Sequence, residues 1–193
     1  MPAPVTRFAP SPTGLLHLGH AYSALVASCL GNGYILRIDN IDHTRCQHEF
    51  AEQICRDLEF LDLPWRGEPV FQSHRLAAYA DALASLRARD LVYPCYLTRS
   101  ELAAVLSAPQ EAPVATDRAI PADEAERRSD KGMSPAWRLR TDHALELVGD
   151  LTWTDLAADS GAGQHRPVDM SAHGDVVLAR RDIGTSYHLS VVV

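Results

Sequence analysis

The chain has 193 residues, 46% of them hydrophobic, and a formal net charge of −7. That length allows one domain, or one domain carrying an insertion, with apolar material enough for a core. The acidic balance argues against a general nucleic-acid binder, no apolar run reaches the roughly 18 residues of a membrane span, and Met1-Pro2-Ala3-Pro4 lacks the basic-then-apolar order of a signal peptide.

Four cysteines, Cys29, Cys46, Cys55 and Cys95, fall far short of a disulfide scaffold. Cys29 and Cys55 lie on apolar helix faces and are expected to fill core space. A reducing cytoplasm is the expected compartment. Lys131 is the sole lysine. An RNA-contacting surface would therefore need a local arginine patch, either Arg87, Arg89 and Arg99 or Arg180 and Arg181.

Taken in order, Val5 to Ala9 reads as a buried strand. Pro10, Pro12 and Gly14 then forbid regular structure. From Leu15 a helical apolar period begins, through Leu18, Tyr22, Leu25, Val26 and Cys29. A strand, a tight loop and a helix N-terminus bring free backbone N–H groups and a positive dipole end to one point, which suits a phosphate. His17 and His20, three apart, share one face of the first helical turn. Gly19 between them has no side chain, so a flat ring could lie against the backbone there.

The first helix is expected over 16–30, ending at Gly31-Asn32-Gly33. Tyr34 to Ile38 follows as a short buried parallel strand, which completes a βαβ unit. Ligands of such sheets sit at the carboxyl ends of strands, where Ser11 and Asp39 fall. An amphipathic helix is predicted over 47–61, with Phe50, Ile54, Leu58 and Leu61 inward and Thr44 available as its cap. A third strand, Val70 to Ser73, leads into a helix over 75–89 with Leu76, Tyr79, Leu83 and Leu86 inward.

Residues 107–118 read as a loop, Pro121 to Arg128 as a short helix, and Trp137 to Arg140 as a strand. Leu145 to Trp153 carries strand signals, 158–172 is polar loop, and His173 to Asp182 returns to a buried-strand pattern. By propensity the closing Val191-Val192-Val193 would also be strand.

The string Arg7-Phe8-Ala9-Pro10-Ser11-Pro12-Thr13-Gly14-Leu15-Leu16-His17-Leu18-Gly19-His20 resembles the HIGH signature of class I aminoacyl-tRNA synthetases, and specifically the glutamate branch. Leu63-Pro64-Trp65 and Phe71-Gln72-Ser73-His74-Arg75 resemble the same family. So do Arg37, Ile38, Asp42 and Arg45, in a stretch where Asp39 replaces the family's Glu and Asn40 its Asp. The resemblance implies an α/β Rossmann-type class I catalytic fold with an inserted α+β subdomain. It implies 1–92 as the first half of the nucleotide-binding domain, 93–172 as the insert, and 173–193 as a return to the Rossmann domain, C-terminally incomplete. It also makes the last residues helical rather than extended.

The same resemblance implies ATP, with Mg²⁺ on the nucleotide, bound by Ser11, Pro12, Thr13, Gly14, His17, Gly19 and His20. His17 and His20 would be the catalytic pair. Glutamate would be held by Arg7, Phe8, Ala9, Pro10, Ser11 and Tyr187, with Asp39 near its amine. Short glutamyl-queuosine tRNA(Asp) synthetases of this family often bind a structural zinc through Cys-x-Cys and further ligands. Here Cys95 is followed by Leu97 and no later cysteine, and His143, His165 and His173 are scattered, so no zinc is expected. Val191 and the compact layout match these short relatives, where ordinary glutamyl-tRNA synthetases carry Asn.

The expected reaction is ATP-dependent activation of L-glutamate and its transfer to the queuosine base of tRNA(Asp), by a monomer with no membrane contact. An N-terminal fragment of an ordinary glutamyl-tRNA synthetase and a non-catalytic nucleotide-binding paralogue stay open as alternatives. Lys131-Gly132-Met133-Ser134 is superficially like the family's KMSKS loop but lies too early. The family's KMSKS loop, a further central strand and a carboxylate-binding Arg would fall beyond residue 193, so the chain is expected to be a fragment, a truncated frame or a degraded paralogue.

Overall fold

A computed structural model describes residues 4–98, 100–103, 120–155, 163–170 and 174–193. The expected loop over 107–118, His173 and Arg99 lie outside the described residues. The backbone forms two units, one up to Ala78 and one from Tyr79, with a helix crossing the boundary.

In the first unit, β1 (Thr6–Phe8), β2 (Tyr34–Ile38) and β3 (Val70–Phe71) form a parallel sheet in the order β1-β2-β3. Thr6 pairs with Tyr34, Phe8 with Leu36 and Ile38 with Phe71. The crossover elements are α1 (Leu18–Leu30) and α2 (His48–Phe60). Tyr34, Leu36 and Ile38 are fully buried against Phe8, Ala24, Ile54 and Leu58. Complete burial of one such side chain contributes about 1.5–3 kcal/mol, so β2 is the strand around which this unit condenses.

The apolar face of α1 differs from expectation. Leu18 is 86% and Tyr22 67% exposed, Leu25 and Cys29 are also exposed, and Ala24 is the buried position. The helix approaches the sheet through small residues instead. Thr6 Oγ1 donates to the Ala27 carbonyl at 2.6 Å and to the Gly33 carbonyl at 3.1 Å. This close approach requires a glycine at 31, because a Cβ there would lie 2.5 Å from Thr6 Oγ1 and 2.7 Å from the Gly33 carbonyl oxygen. Cys55, by contrast, packs against the core as expected.

On α2, Ile54 and Leu58 are buried together with Ala51, whereas Leu61 is exposed. Thr44 does not cap this helix. Its hydroxyl donates to Asp42 Oδ1 at 2.7 Å, and Gln47 occupies the cap position. A 3₁₀ turn over Gln72–Arg75 replaces the end of the expected third strand and leads into α3 (Leu76–Ala88), which buries Tyr79 and Leu83 but exposes Leu76.

In the second unit, β4 (Val92–Cys95), β5 (Ala136–Leu139) and β8 (Val177–Ala179) form an antiparallel sheet in the order β4-β5-β8. Arg87 stacks over Trp137 at 4.2 Å. A helix spans Ala122–Asp130 with Pro121 as its cap residue. Arg128 fixes it by donating to Glu124 at 2.7 Å and to Glu101 at 2.7 and 2.9 Å. The strand signal expected over Leu145 to Trp153 holds only at Thr152 and Trp153 and is overturned up to Val148, since Thr141–Val148 is helical. Its leucines and valine satisfy a helical period as well as an extended one, and Asp142 accepts from the His143 N–H at the first turn. β6 (Thr152–Asp155) and β7 (Gln164–Pro167) form a hairpin, so part of the expected 158–172 loop is strand. Tyr187–Ser190 is helical, capped by Ser186, while Val191-Val192-Val193, expected helical on the resemblance and extended by propensity, is neither and ends the chain as a turn.

Candidate active site

The loop between β1 and α1 shapes an open cavity of about 710 Å³. Its walls include Arg7, Phe8, Ala9, Pro10, Ser11, Thr13, Gly14, His17 and His20, nine of the residues singled out in the sequence. The backbone holds this loop in place. The Asp39 N–H donates to the Pro10 carbonyl at 2.9 Å, and the Gln47 N–H donates to the Pro12 carbonyl at 2.9 Å. Pro12 is fully buried beneath the loop and does not line the cavity.

His17 is the N-cap of α1, and the two histidines form a reciprocal capping box. His17 Nδ1 accepts from the Gly19 N–H at 3.1 Å, and His20 Nδ1 accepts from the His17 N–H at 3.2 Å. The rings stack with centroids 3.8 Å apart. A ring nitrogen that accepts is unprotonated, so each neutral imidazole carries its proton on Nε2. Two Nε2–H donors therefore remain for a ligand, beside the positive end of α1. Burial, and then the neighbouring His17, push the His20 pKa below its usual 6.5, which keeps that ring neutral at pH 7.

Gly19 has a local reason to be glycine. A Cβ there would lie 3.1 Å from His17 Cε1 and 3.2 Å from His17 Nδ1. What it leaves room for in this structure is the histidine ring. Ser23 was missed in the sequence although it lines the cavity. Its place three residues after His20, on the same helix face, was the available signal. Its hydroxyl donates to the Gly19 carbonyl at 2.9 Å.

Asp39 is placed differently from the other nine. It does not line this cavity, is 7% exposed, and its carboxylate takes a bidentate bond from buried Arg37, at 2.6 and 3.0 Å. Burial raises its pKa above the ordinary carboxylate value, against the opposing pull of Arg37 and Arg7. Both oxygens are already engaged, so an incoming ammonium group would share them with a guanidinium. Tyr187 belongs to the second unit, at the first position of its helix, and is 62% exposed.

For zinc, the described residues do not fit. Cys95 is buried with Tyr93 and Leu97, against Leu102 and Ile120, in a small apolar cluster. Among the described residues no group of three or more His, Cys, Asp or Glu could hold a metal ion. No described helix is long and apolar enough to cross a membrane.

Residues 4–193 match the family model for the class I tRNA synthetase (E and Q) catalytic domain. The chain belongs to that family. It is 42% identical to a Rhodobacter capsulatus protein named glutamyl-Q tRNA(Asp) synthetase, covering 98% of this chain and 71% of that one. A Symbiobacterium thermophilum protein of the same name is 38% identical, with 97% and 60% covered. A Gluconobacter oxydans glutamate–tRNA ligase 2 is 39% identical, and this chain spans 42% of its length. The crystal structure of a glutamate–tRNA synthetase from Elizabethkingia anophelis superposes with a TM-score of 0.73 at 24% identity, over 96% of this chain and 41% of that one, which establishes the shared fold. The chain is thus a class I aminoacyl-tRNA synthetase-like ligase domain, spanning less than half the length of the longer relatives.

Proposed function

We propose that this domain activates L-glutamate with ATP and passes it to the queuosine base of tRNA(Asp), as a cytoplasmic monomer. The observation that carries the reading is the histidine capping box. It turns two Nε2–H groups into fixed donors at one rim of a cavity walled by the loop and the start of α1. In the proposed step a glutamate carboxylate oxygen attacks the α-phosphorus of ATP, and the bond to the departing pyrophosphate breaks. Negative charge grows on the phosphate oxygens as this happens. Donors that are already oriented stabilise that charge without reorganising.

His17 and His20 would donate there, and Thr13 and the helix N-terminus would add donors. Mg²⁺ would travel on the nucleotide, since it keeps much of its water and binds phosphate oxygens readily. Arg7, Ala9 and Ser11 would hold glutamate, and Tyr187 is assigned to it on the resemblance alone. Transfer to queuosine is supported by the names of the relatives from Rhodobacter and Symbiobacterium.

Glutamate-dependent ATP–pyrophosphate exchange tests activation. Glutamylation of queuosine-containing tRNA(Asp) against tRNA(Glu) tests the acceptor. Preference for tRNA(Glu) would favour a fragment of an ordinary glutamyl-tRNA synthetase. One observation favours the non-catalytic reading, namely the commitment of Asp39 to Arg37. ATP binding without exchange would establish it.

A further inference from the structure

A second cavity, of about 460 Å³, lies wholly within the second unit and has no part in the proposed chemistry. Its walls bring together Arg138 from β5 and Arg180, Arg181 and Asp182 from the turn after β8, over an apolar floor that includes Cys95 and Leu97. Arg138 is only 8% exposed. Its Nη2 donates to the Asp175 carbonyl, but its buried Nε has no hydrogen-bond partner among the described residues. Arg181 Nη2 donates to the Leu97 carbonyl at 2.9 Å, which pins that guanidinium at the rim. Arg180 is paired with Asp182, its Nε 3.0 Å from Oδ1.

Among the described lining residues three guanidiniums accompany one carboxylate, a net positive set. Such a field repels a metal cation. Guanidiniums arriving from two elements suit a tetrahedral oxyanion, whose oxygens can accept from several directions. The Arg138 Nε is closed to the cavity, so an oxyanion there would be held by the outer guanidinium nitrogens. The cavity exceeds the size of a lone phosphate, and its apolar floor could cover an attached sugar.

We infer that the Arg138–Arg180–Arg181 cavity binds a phosphate oxyanion, either free or carried on an RNA backbone. The inference is independent of what the first unit binds.

The test follows the Arg138 Nε–H resonance in the whole chain as inorganic phosphate, and separately a short RNA hairpin, is added. A saturable shift is expected, about tenfold weaker in Arg181→Gln and unchanged in Arg127→Gln, a surface control in the same unit. If RNA is the source, its binding also loses about 0.7–0.9 from the salt slope in Arg181→Gln. A shift with inorganic phosphate alone assigns a free phosphate. Arg138→Lys should weaken the same titration, read from the Arg181 signals, and Arg181→Gln decides alone if that variant fails to fold. An Arg138 signal unmoved by both ligands, or an Arg181→Gln titration matching wild type, overturns the inference. Absent pyrophosphate exchange would sink the proposed function and leave this site standing.

Discussion

Substituting Gly19 by alanine separates the stability of α1 from the use of its first turn. The new Cβ would meet His17 Cε1 at 3.1 Å and Nδ1 at 3.2 Å, so the ring must move by a few tenths of an ångström. That motion stretches the 3.1 Å bond from the Gly19 N–H to His17 Nδ1, and the 3.8 Å stack passes it to His20. Loss of a helix cap costs about 1 kcal/mol. Replacing glycine by alanine within a helix returns up to about 1 kcal/mol. The two offset each other, and the net change in stability should stay within about 1 kcal/mol. Function should not be spared in the same way. Displacing one oriented donor from a developing oxyanion costs about 10²–10³ in rate. Thermal unfolding and glutamate-dependent pyrophosphate exchange, measured on one preparation, give both numbers. A Gly19→Ala variant with wild-type exchange would refute the idea that ring position in the capping box controls the chemistry.

Asp39→Asn removes the carboxylate that takes two bonds from buried Arg37 and should destabilise the first unit by up to about 3–5 kcal/mol, visible as a drop in urea midpoint. Leu58→Ala opens a void in a fully buried position and should cost about 2–5 kcal/mol in the same assay. His20 has its folded pKa pushed below 6.5, so as pH falls through 6.5 the unfolded chain takes up the proton first and folding stability declines. Its contribution is complete above pH 6.5 and is lost towards the lower folded pKa, and His20→Asn should flatten that part of the stability profile. Glu101 titrates well below the ordinary carboxylate range because Arg128 and the Thr98 N–H bind its anion. Arg128→Ala should therefore speed amide hydrogen exchange across 122–130 while leaving α1 unchanged.

The first unit was readable because its signals are local. Val5 to Ile38 contains a short apolar run, a proline-rich loop, a helical period and a β-rich run, and each chooses one structure. The failures came where burial depends on distant partners. Leu18 and Tyr22 have the spacing of a core face, yet α1 rests on the sheet through Ala24 and Ala27, because small residues permit the contact with Thr6. Leu145 to Val148 fits two periods, and only its setting after β5 and the first-turn Asp142 selects the helix. In the site, the spacing placed His17 and His20 on one face but could not show that the His20 ring takes the His17 N–H while the His17 ring takes that of Gly19. Asp39 was legible as a strand-end carboxylate. That Arg37 takes both its oxygens depends on two alternate residues of β2 and the loop curling the same way, which sequence pattern does not reveal.

The central claim is that the two imidazoles present Nε2–H donors to a nucleotide triphosphate. Titrating the chain with a non-hydrolysable ATP analogue, while following the ring ¹⁵N resonances of His17 and His20, tests it most directly. The account predicts that both Nε2 signals keep their protons and shift together to saturation, with affinity weakened in His17→Asn and in His20→Asn. Rings whose signals stay still while the analogue binds, or analogue affinity untouched by both substitutions, would contradict it.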